Sequence, residues 1–382
     1  MTDLAAVFHR YPPDCQPSHI EPLGSAGGMS GAQFWRITAP RPVVRGSPDP
    51  AHVRTLALRR WPAEHPTPDH LHFIHAVLRH AADRGITVLP LPIVARDGSS
   101  FVAHAGYLWE LTPWLPGAAD YDRAPSDDKL RAAMTALAQF HVATADFKLA
   151  AAGIAPAITR RLARLHQLTH GGIQELSLTI TKTTWPELAP FAQHFIAALP
   201  RVVTRAIAQL EPLADIVLPL QPCIRDIWHD HLLFTGNEVT GLVDFGALDI
   251  DTAATDIARL LGSLAQGTVP FSRKTPTNTT FEFGSNDDYT AKRGLSPSSP
   301  DESPIWRHGL AAYSTIRPLS KQESLAVFAL DASGTILAGC NWIRWIYIEG
   351  RSFDNRAQVV ERFRRICARV AKAFEPRSGD ID

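Results

Sequence analysis

The sequence is short of lysine and cysteine and carries no net charge. Its 382 residues include 38 Lys and Arg against 38 Asp and Glu. A chain that grips nucleic-acid phosphates normally shows a basic surplus, so that class of partner is disfavoured. The first lysine is Lys129. Wherever the first third of the chain holds an anion, it must use Arg, His or backbone N–H groups. Four cysteines, Cys15, Cys223, Cys340 and Cys367, lie far apart without metal-type spacing. They read as free thiols in a reducing cytoplasm, not as a disulfide framework. No apolar run approaches the length needed to span a bilayer, so no membrane partner is expected. Met1-Thr2-Asp3-Leu4 carries an acid where a secretory signal would carry basic residues. No internal repeat is visible. Hydrophobic residues make up 45% of the chain and charged residues 20%, an ordinary globular composition. The length allows two or three lobes.

Residues 1–18 read as an N-terminal extension. From residue 19 to 111 the pattern is strands with one helix. Residues 19–23 lead into Gly24-Ser25-Ala26-Gly27-Gly28-Met29-Ser30-Gly31, and 32–37 has the aromatic and apolar content of a strand. Residues 55–61 are a second strand and 107–111 a third. Between them, 70–84 is a helix that stops at Gly85. Thr112-Pro113 and Leu115-Pro116-Gly117 break the pattern, which sets a lobe boundary at 112–118. Residues 119–376 are mostly helical. Ser126 caps one helix, another runs over 191–210, Ser320-Lys321-Gln322-Glu323 is a capping box, and the last helix covers about 355–374. Residues 267–304 are rich in Ser, Thr, Pro, Gly and Asn and poor in large aliphatics, the composition of a disordered insertion. Residues 377–382 form a tail.

The chemistry concentrates in residues 223–246. Leu232-Leu233-Phe234 and Val239 to Val243 are short apolar strands joined by a turn at Thr235-Gly236-Asn237-Glu238. Folding back about that turn brings His231 and Asp244 together at the open mouth of the hairpin, with Asp226 on the loop feeding it. Phosphoryl transfer needs such a cluster: one carboxylate orients the attacking hydroxyl and further ligands hold divalent metal on the nucleotide phosphates. A catalytic Asp, a metal ligand five residues on and a later Asp-Phe-Gly is the kinase pattern, and Asp226, His231 and Asp244-Phe245-Gly246 fit it.

These residues resemble the aminoglycoside phosphotransferase and choline kinase-like family over roughly residues 19–375. The resemblance implies an α+β, bilobal protein kinase-like fold, with a small N-terminal antiparallel-sheet lobe and a larger, mainly helical C-terminal lobe. It implies transfer of the ATP γ-phosphate to a hydroxyl of a small molecule such as an amino sugar, amino alcohol or related metabolite. Asp226 corresponds to the catalytic Asp; His231 and Asp244 correspond to the ligands of Mg²⁺ or Mn²⁺. Residues 24–31 look like the nucleotide loop, which implies ATP contacts from Gly24, Ser25, Gly27, Gly28 and Ser30. Leu58-Arg59-Arg60-Trp61-Pro62 is similar to the strand presenting the phosphate cation, here Arg59 with Arg60 as fallback. Residues 107–117 resemble the hinge, which adds Glu110 and Thr112. A monomer or homodimer is expected.

Several positions depart from the family pattern. Ile224-Arg225 replaces His-Gly before the catalytic Asp, His231 stands where Asn is usual, and Arg59 where Lys is common. The helix over 70–84 offers no Glu to pair with the cation; Asp83 is near its far end, and Asp69 and Glu64 precede it. These departures motivate a second reading, a nucleotide-binding pseudokinase without activity. A third, a metal hydrolase built on Asp226, His229 and His231, explains neither the glycine run nor Asp-Phe-Gly. Plainer alternatives stand beside each residue. The glycine run also suits a flexible turn, Asp226 a structural acid paired with Arg225, and Arg59 a solvated strand position. Trp342 and Trp345, at helical spacing, suit a core better than a cation box. Asp249 and Asp251 are candidates to reach a substrate.

Overall fold

The computed structural model describes residues 2–24, 31–40, 53–180, 185–265, 303–353 and 355–373. The expected insertion lies almost wholly outside the described residues. In chain order the elements are α1 (Thr2–His9), β1 (His19–Gly24), β2 (Gln33–Pro40), β3 (Val53–Arg60), α2 (Pro68–Asp83), β4 (Val102–His104), β5 (Tyr107–Pro113), α3 (Asp127–Thr144), β6 (Ala151–Ile154), α4 (Pro156–Gln167), α5 (Ile173–Thr179), α6 (Ala189–Leu210), β7 (Val217–Cys223), β8 (Leu232–Thr235), β9 (Glu238–Leu242), β10 (Asp249–Asp251), α7 (Ala254–Leu264), α8 (Pro304–Ile316), α9 (Lys321–Ile343) and α10 (Arg356–Ala373). They form two compact units. The first comprises Met1–Asp120, Ala136–Ala150 and Gln221–Ile250, the second Tyr121–Thr135, Ala151–Leu220 and Asp251–Asp382. The hairpin expected within the helical part thus clusters with the N-terminal sheet.

The first unit is built on an antiparallel sheet of order β1-β2-β3-β5-β4. Alternation along β3 decides its two faces. Leu56 and Leu58 point one way into a core with Ile37, Trp109 and Leu111, and Arg59 points the other way. Val7, Phe8 and Tyr11 complete that core, each at most 2% exposed. Residues 1–18 are therefore part of the folded unit, a correction to the expected extension. Val7 and Phe8 near the end of a short helix, with Tyr11 beyond it, are too brief a pattern to identify a core element. Helix α2 begins where Thr67 accepts a hydrogen bond from His70 N–H and ends before Gly85, whose φ of +92° suits glycine. The hairpin β8–β9 pairs Leu232 with Leu242 around Gly236.

The second unit is mainly helical. Helices α4, α6, α7 and α10 pack on α9. Ser320 and Glu323 make the expected capping box, and Gly339 of α9 lies where a Cβ would be 2.3 Å from the Phe195 ring of α6. Bare backbone there allows close helix contact. With the turn that follows it, α9 (residues 321–348) is long and apolar enough to cross a membrane, contrary to the reading of the sequence as having no such run. Most of it is buried inside the protein, as befits a central core helix.

Candidate active site

The site assembles around Arg59, which is only 8% exposed. On the same face of the sheet, Phe34 of β2 and Glu110 of β5 are its cross-strand neighbours, and Trp61 follows two residues later. The guanidinium carbon lies 3.4 Å from the centre of the Trp61 ring and 5.1 Å from that of Phe34. Its Nη2 donates to Oδ1 of Asp244 at 3.2 Å. Arg60 points to the other face and stacks 4.3 Å from Tyr107. Strand alternation therefore turns Arg59, and not Arg60, toward Asp244. Among the described residues, the ion-pair partner of Arg59 is Asp244 and not an acid of α2.

The loop after β7 carries Arg225 and Asp226. Arg225 has a φ of +65°, a conformation that disfavours residues with a Cβ and that suits the glycine usual at this position. Its Nη1 donates to Oδ2 of Asp249 at 2.9 Å, which anchors the strained residue. Asp226 accepts from the Trp228 indole N–H at 3.1 Å, fixing one carboxylate oxygen. His229 is buried with its Nε2 3.1 Å from Asp230, which leaves it poorly placed as the partner of a His-x-His metal pair. His231 then enters the hairpin, and Val243 N–H donates to its carbonyl at 2.9 Å. That closure sets His231 Nε2 3.8 Å from Oδ2 of Asp244.

Asp244 also has positive φ, +62°. Its two oxygens face Arg59 and His231. Burial pushes the carboxyl upward, but the Arg59 guanidinium and then His231 outweigh it and hold it below the usual carboxylate range. The rest of the tripeptide is tied down. Phe245 is buried 5.8 Å from the Phe140 ring, and the Gly246 carbonyl is 2.9 Å from His65 Nε2. A Cβ on Gly246 would lie 3.0 Å from the Trp61 ring.

The other expected positions divide. Gly24 and Gly31 bound the glycine run with φ of +62° and +76°, while Ser25, Gly27, Gly28 and Ser30 lie outside the described residues. Thr112 is buried on β5. Glu110 turns its carboxylate to His75 of α2, at 2.8 Å from Nε2, and His75 Nδ1 meets Ser100 Oγ at 2.7 Å. This side chain is a strut between helix and sheet, and the Glu110 backbone pairs with Arg59 in the β3–β5 ladder. Asp251 is fully buried, accepts from Ala157 N–H at 3.1 Å and pairs with Arg160 at 3.0 Å, which makes it a structural acid and not a substrate contact. Trp342 is buried against Trp345 and Phe353, with ring centres 5.3 Å apart in each pair, as a core residue. Trp61 and His65 were not singled out from sequence. Same-face spacing from Arg59 was the available signal for Trp61; nothing local marked His65.

The donor set suits a metal-bound nucleotide. Two carboxylates and an imidazole offer oxygen and nitrogen ligands. His231 Nδ1, Arg59 Nε and Trp61 Nε1 are buried without a hydrogen-bond partner among the described residues. Buried polar groups are normally satisfied, so the cluster retains capacity for a polar ligand.

The sequence profile of the phosphotransferase enzyme family matches residues 20–275. The chain belongs to that family. It is 27% identical over 242 residues to a homoserine kinase of Brucella anthropi, an alignment covering 63% of this chain and 65% of that protein. The chain thus spans a little under two thirds of that relative's length. Among solved structures, an aminoglycoside phosphotransferase from Alicyclobacillus acidocaldarius superposes with a TM-score of 0.53 at 17% identity, covering 97% of this chain and 93% of that one. An amicoumacin kinase in complex with AMP-PNP, Ca²⁺ and Ami superposes with a TM-score of 0.60 at 13% identity, covering 96% and 92%. The fold is accordingly the expected α+β kinase-like one.

Proposed function

We propose that the protein is an ATP-dependent kinase that moves the γ-phosphate to a hydroxyl of a small molecule. The observation carrying this reading is the meeting of Arg59, His231 and Asp244 at the hairpin mouth, downstream of Asp226. Asp244 and His231 would hold Mg²⁺ or Mn²⁺, which supplies charge neutralisation on the phosphates. Arg59 adds a fixed positive charge for the phosphates. Asp226 would orient the acceptor hydroxyl and take its proton; the Trp228 indole N–H holds one of its carboxylate oxygens, which fixes the direction of the carboxylate. Retention of both Asp226 and Asp244 in this arrangement favours an active enzyme over a pseudokinase.

The homoserine kinases among its relatives support an acceptor that carries both an amine and a hydroxyl, which keeps amino alcohols, amino acids with a hydroxyl and amino sugars in view. The free thiols support a cytoplasmic protein, and a monomer or homodimer is proposed for its assembly. The test is ATP consumption with Mg²⁺ or Mn²⁺ across homoserine, choline, amino sugars and antibiotics bearing hydroxyls. Turnover with one acceptor, lost in Asp226→Ala by about 10²–10⁴-fold while AMP-PNP still binds, supports the reading. AMP-PNP binding with no turnover on any acceptor would restore the pseudokinase.

A further inference from the structure

The helix that usually supplies an acid to the phosphate cation does not do so here. α2 turns His75 to Glu110, and among the described residues no acid of α2 pairs with Arg59. Something else must hold the cation in place. The guanidinium is stacked at 3.4 Å on Trp61, with Phe34 on the neighbouring strand 5.1 Å away. Trp61 is 3% exposed, so this ring is a fixed wall. Its far edge also packs on Gly246, and His65 from the same segment meets the Gly246 carbonyl. One short stretch, residues 59–65, therefore touches both the cation and the Asp-Phe-Gly tripeptide.

A guanidinium is a plane. It can lay a face on an aromatic ring and still send every N–H outward in that plane. Arg59 does this: one face meets Trp61, Nη2 reaches Asp244, and Nε–H has no acceptor among the described residues. An ammonium is a compact point charge. Drawn over the same ring, it would give up the in-plane reach to Asp244 and to a phosphate together.

We infer that Trp61 is the positioning residue for the phosphate cation, and that it makes the site specific for arginine, so that Arg59 and Trp61 work as one unit. The lysine common in the family is then a damaging substitution here. The inference rests on the proposed nucleotide site.

The test is a double-mutant cycle on AMP-PNP binding, measured by calorimetry with Mg²⁺ present. It uses the full chain and the variants Arg59→Lys, Trp61→Leu and both together. Arg59→Lys should weaken binding by roughly ten- to a hundredfold, the value of one charge-assisted contact, and Trp61→Leu by a similar factor. In the Trp61→Leu background, Arg59→Lys should add little, because the arginine has already lost its wall. Trp61→Phe keeps a ring and should restore most of the affinity. Should Trp61→Leu not fold, Phe34→Leu replaces it in the cycle, with a smaller expected coupling. Penalties that simply multiply, or an Arg59→Lys protein that binds like wild type, would overturn the inference while leaving the kinase reading intact. Wild-type protein that binds no AMP-PNP would overturn the nucleotide site itself and the inference with it.

Discussion

Arg59 and Asp244 are 185 residues apart in the chain and 3.2 Å apart in the fold, Nη2 to Oδ1. The strand cation and the hairpin acid neutralise one another at the centre of the site. Coulomb attraction to Arg59 outweighs the partial desolvation of Asp244, whose side chain is 43% exposed, and favours its ionised form. A carboxyl depressed in the folded state stabilises the protein above its unfolded pKa, and that contribution is lost as pH falls through the folded value. Native stability should therefore weaken on acidification below about pH 4, the ordinary carboxylate value. Asp244→Asn should be less stable than wild type at neutral pH and converge with it in acid. Urea denaturation at several pH values measures this; parallel curves for the two proteins would mean that the pair contributes nothing to stability.

His231 stands where the family usually has Asn, and its Nε2 faces Asp244. An imidazole nitrogen suits Mn²⁺ and other transition ions better than Mg²⁺, which prefers hard oxygen. Mn²⁺ should bind the protein with AMP-PNP more tightly than Mg²⁺ does, as read from the electron paramagnetic resonance of free Mn²⁺ under competition. His231→Asn should narrow that gap. An unchanged preference would leave His231 as a hairpin residue only.

Gly117 joins the hinge to the hairpin. Its φ is +98°, and a Cβ there would sit 2.5 Å from Thr240 Oγ1 and 2.8 Å from the Phe234 carbonyl oxygen. Ala118 next to it exchanges two backbone hydrogen bonds with Phe234, at 3.0 and 2.9 Å. Gly117→Ala meets both a disfavoured conformation and an immovable backbone atom, and should destabilise the protein by about 2–4 kcal/mol. A shift of the denaturation midpoint well below that range would show that the hinge moves to make room.

All four cysteines are free, and three are buried. Burial pushes the Cys340 and Cys367 thiols up to about 12 and raises Cys15 as well. Thiolate is the reactive form, so a disulfide reagent at pH 8 should modify the native protein slowly and the unfolded protein fully. A fast-reacting thiol in the native state would point to local opening near that cysteine.

Much of the architecture was legible in advance because it rests on short-range chemistry. Gly236-Asn237 between two apolar runs makes a hairpin, and the hairpin alone predicts that His231 and Asp244 meet. Ser320 and Glu323 cap a helix through contacts within one turn. The N-terminal residues were not legible, since Val7, Phe8 and Tyr11 gain their core only against strands far along the chain. Asp251 looked available to a substrate and is instead buried on the start of α4.

The sequence by itself determined the order of the elements, the hairpin that brings His231 and Asp244 together with Asp226 on the loop before it, and the membership of a phosphotransferase family that this order implies. These follow from local turn chemistry and from strand and helix periodicity. Tertiary structure decided which of Arg59 and Arg60 faces Asp244, where Glu110 spends its carboxylate, and that Trp61 stacks on the Arg59 guanidinium. Alternation assigns neighbouring residues to opposite faces of a strand, but only packing decides which face meets the hairpin. The partner of a buried charge is set by whatever distant segment the fold brings against it.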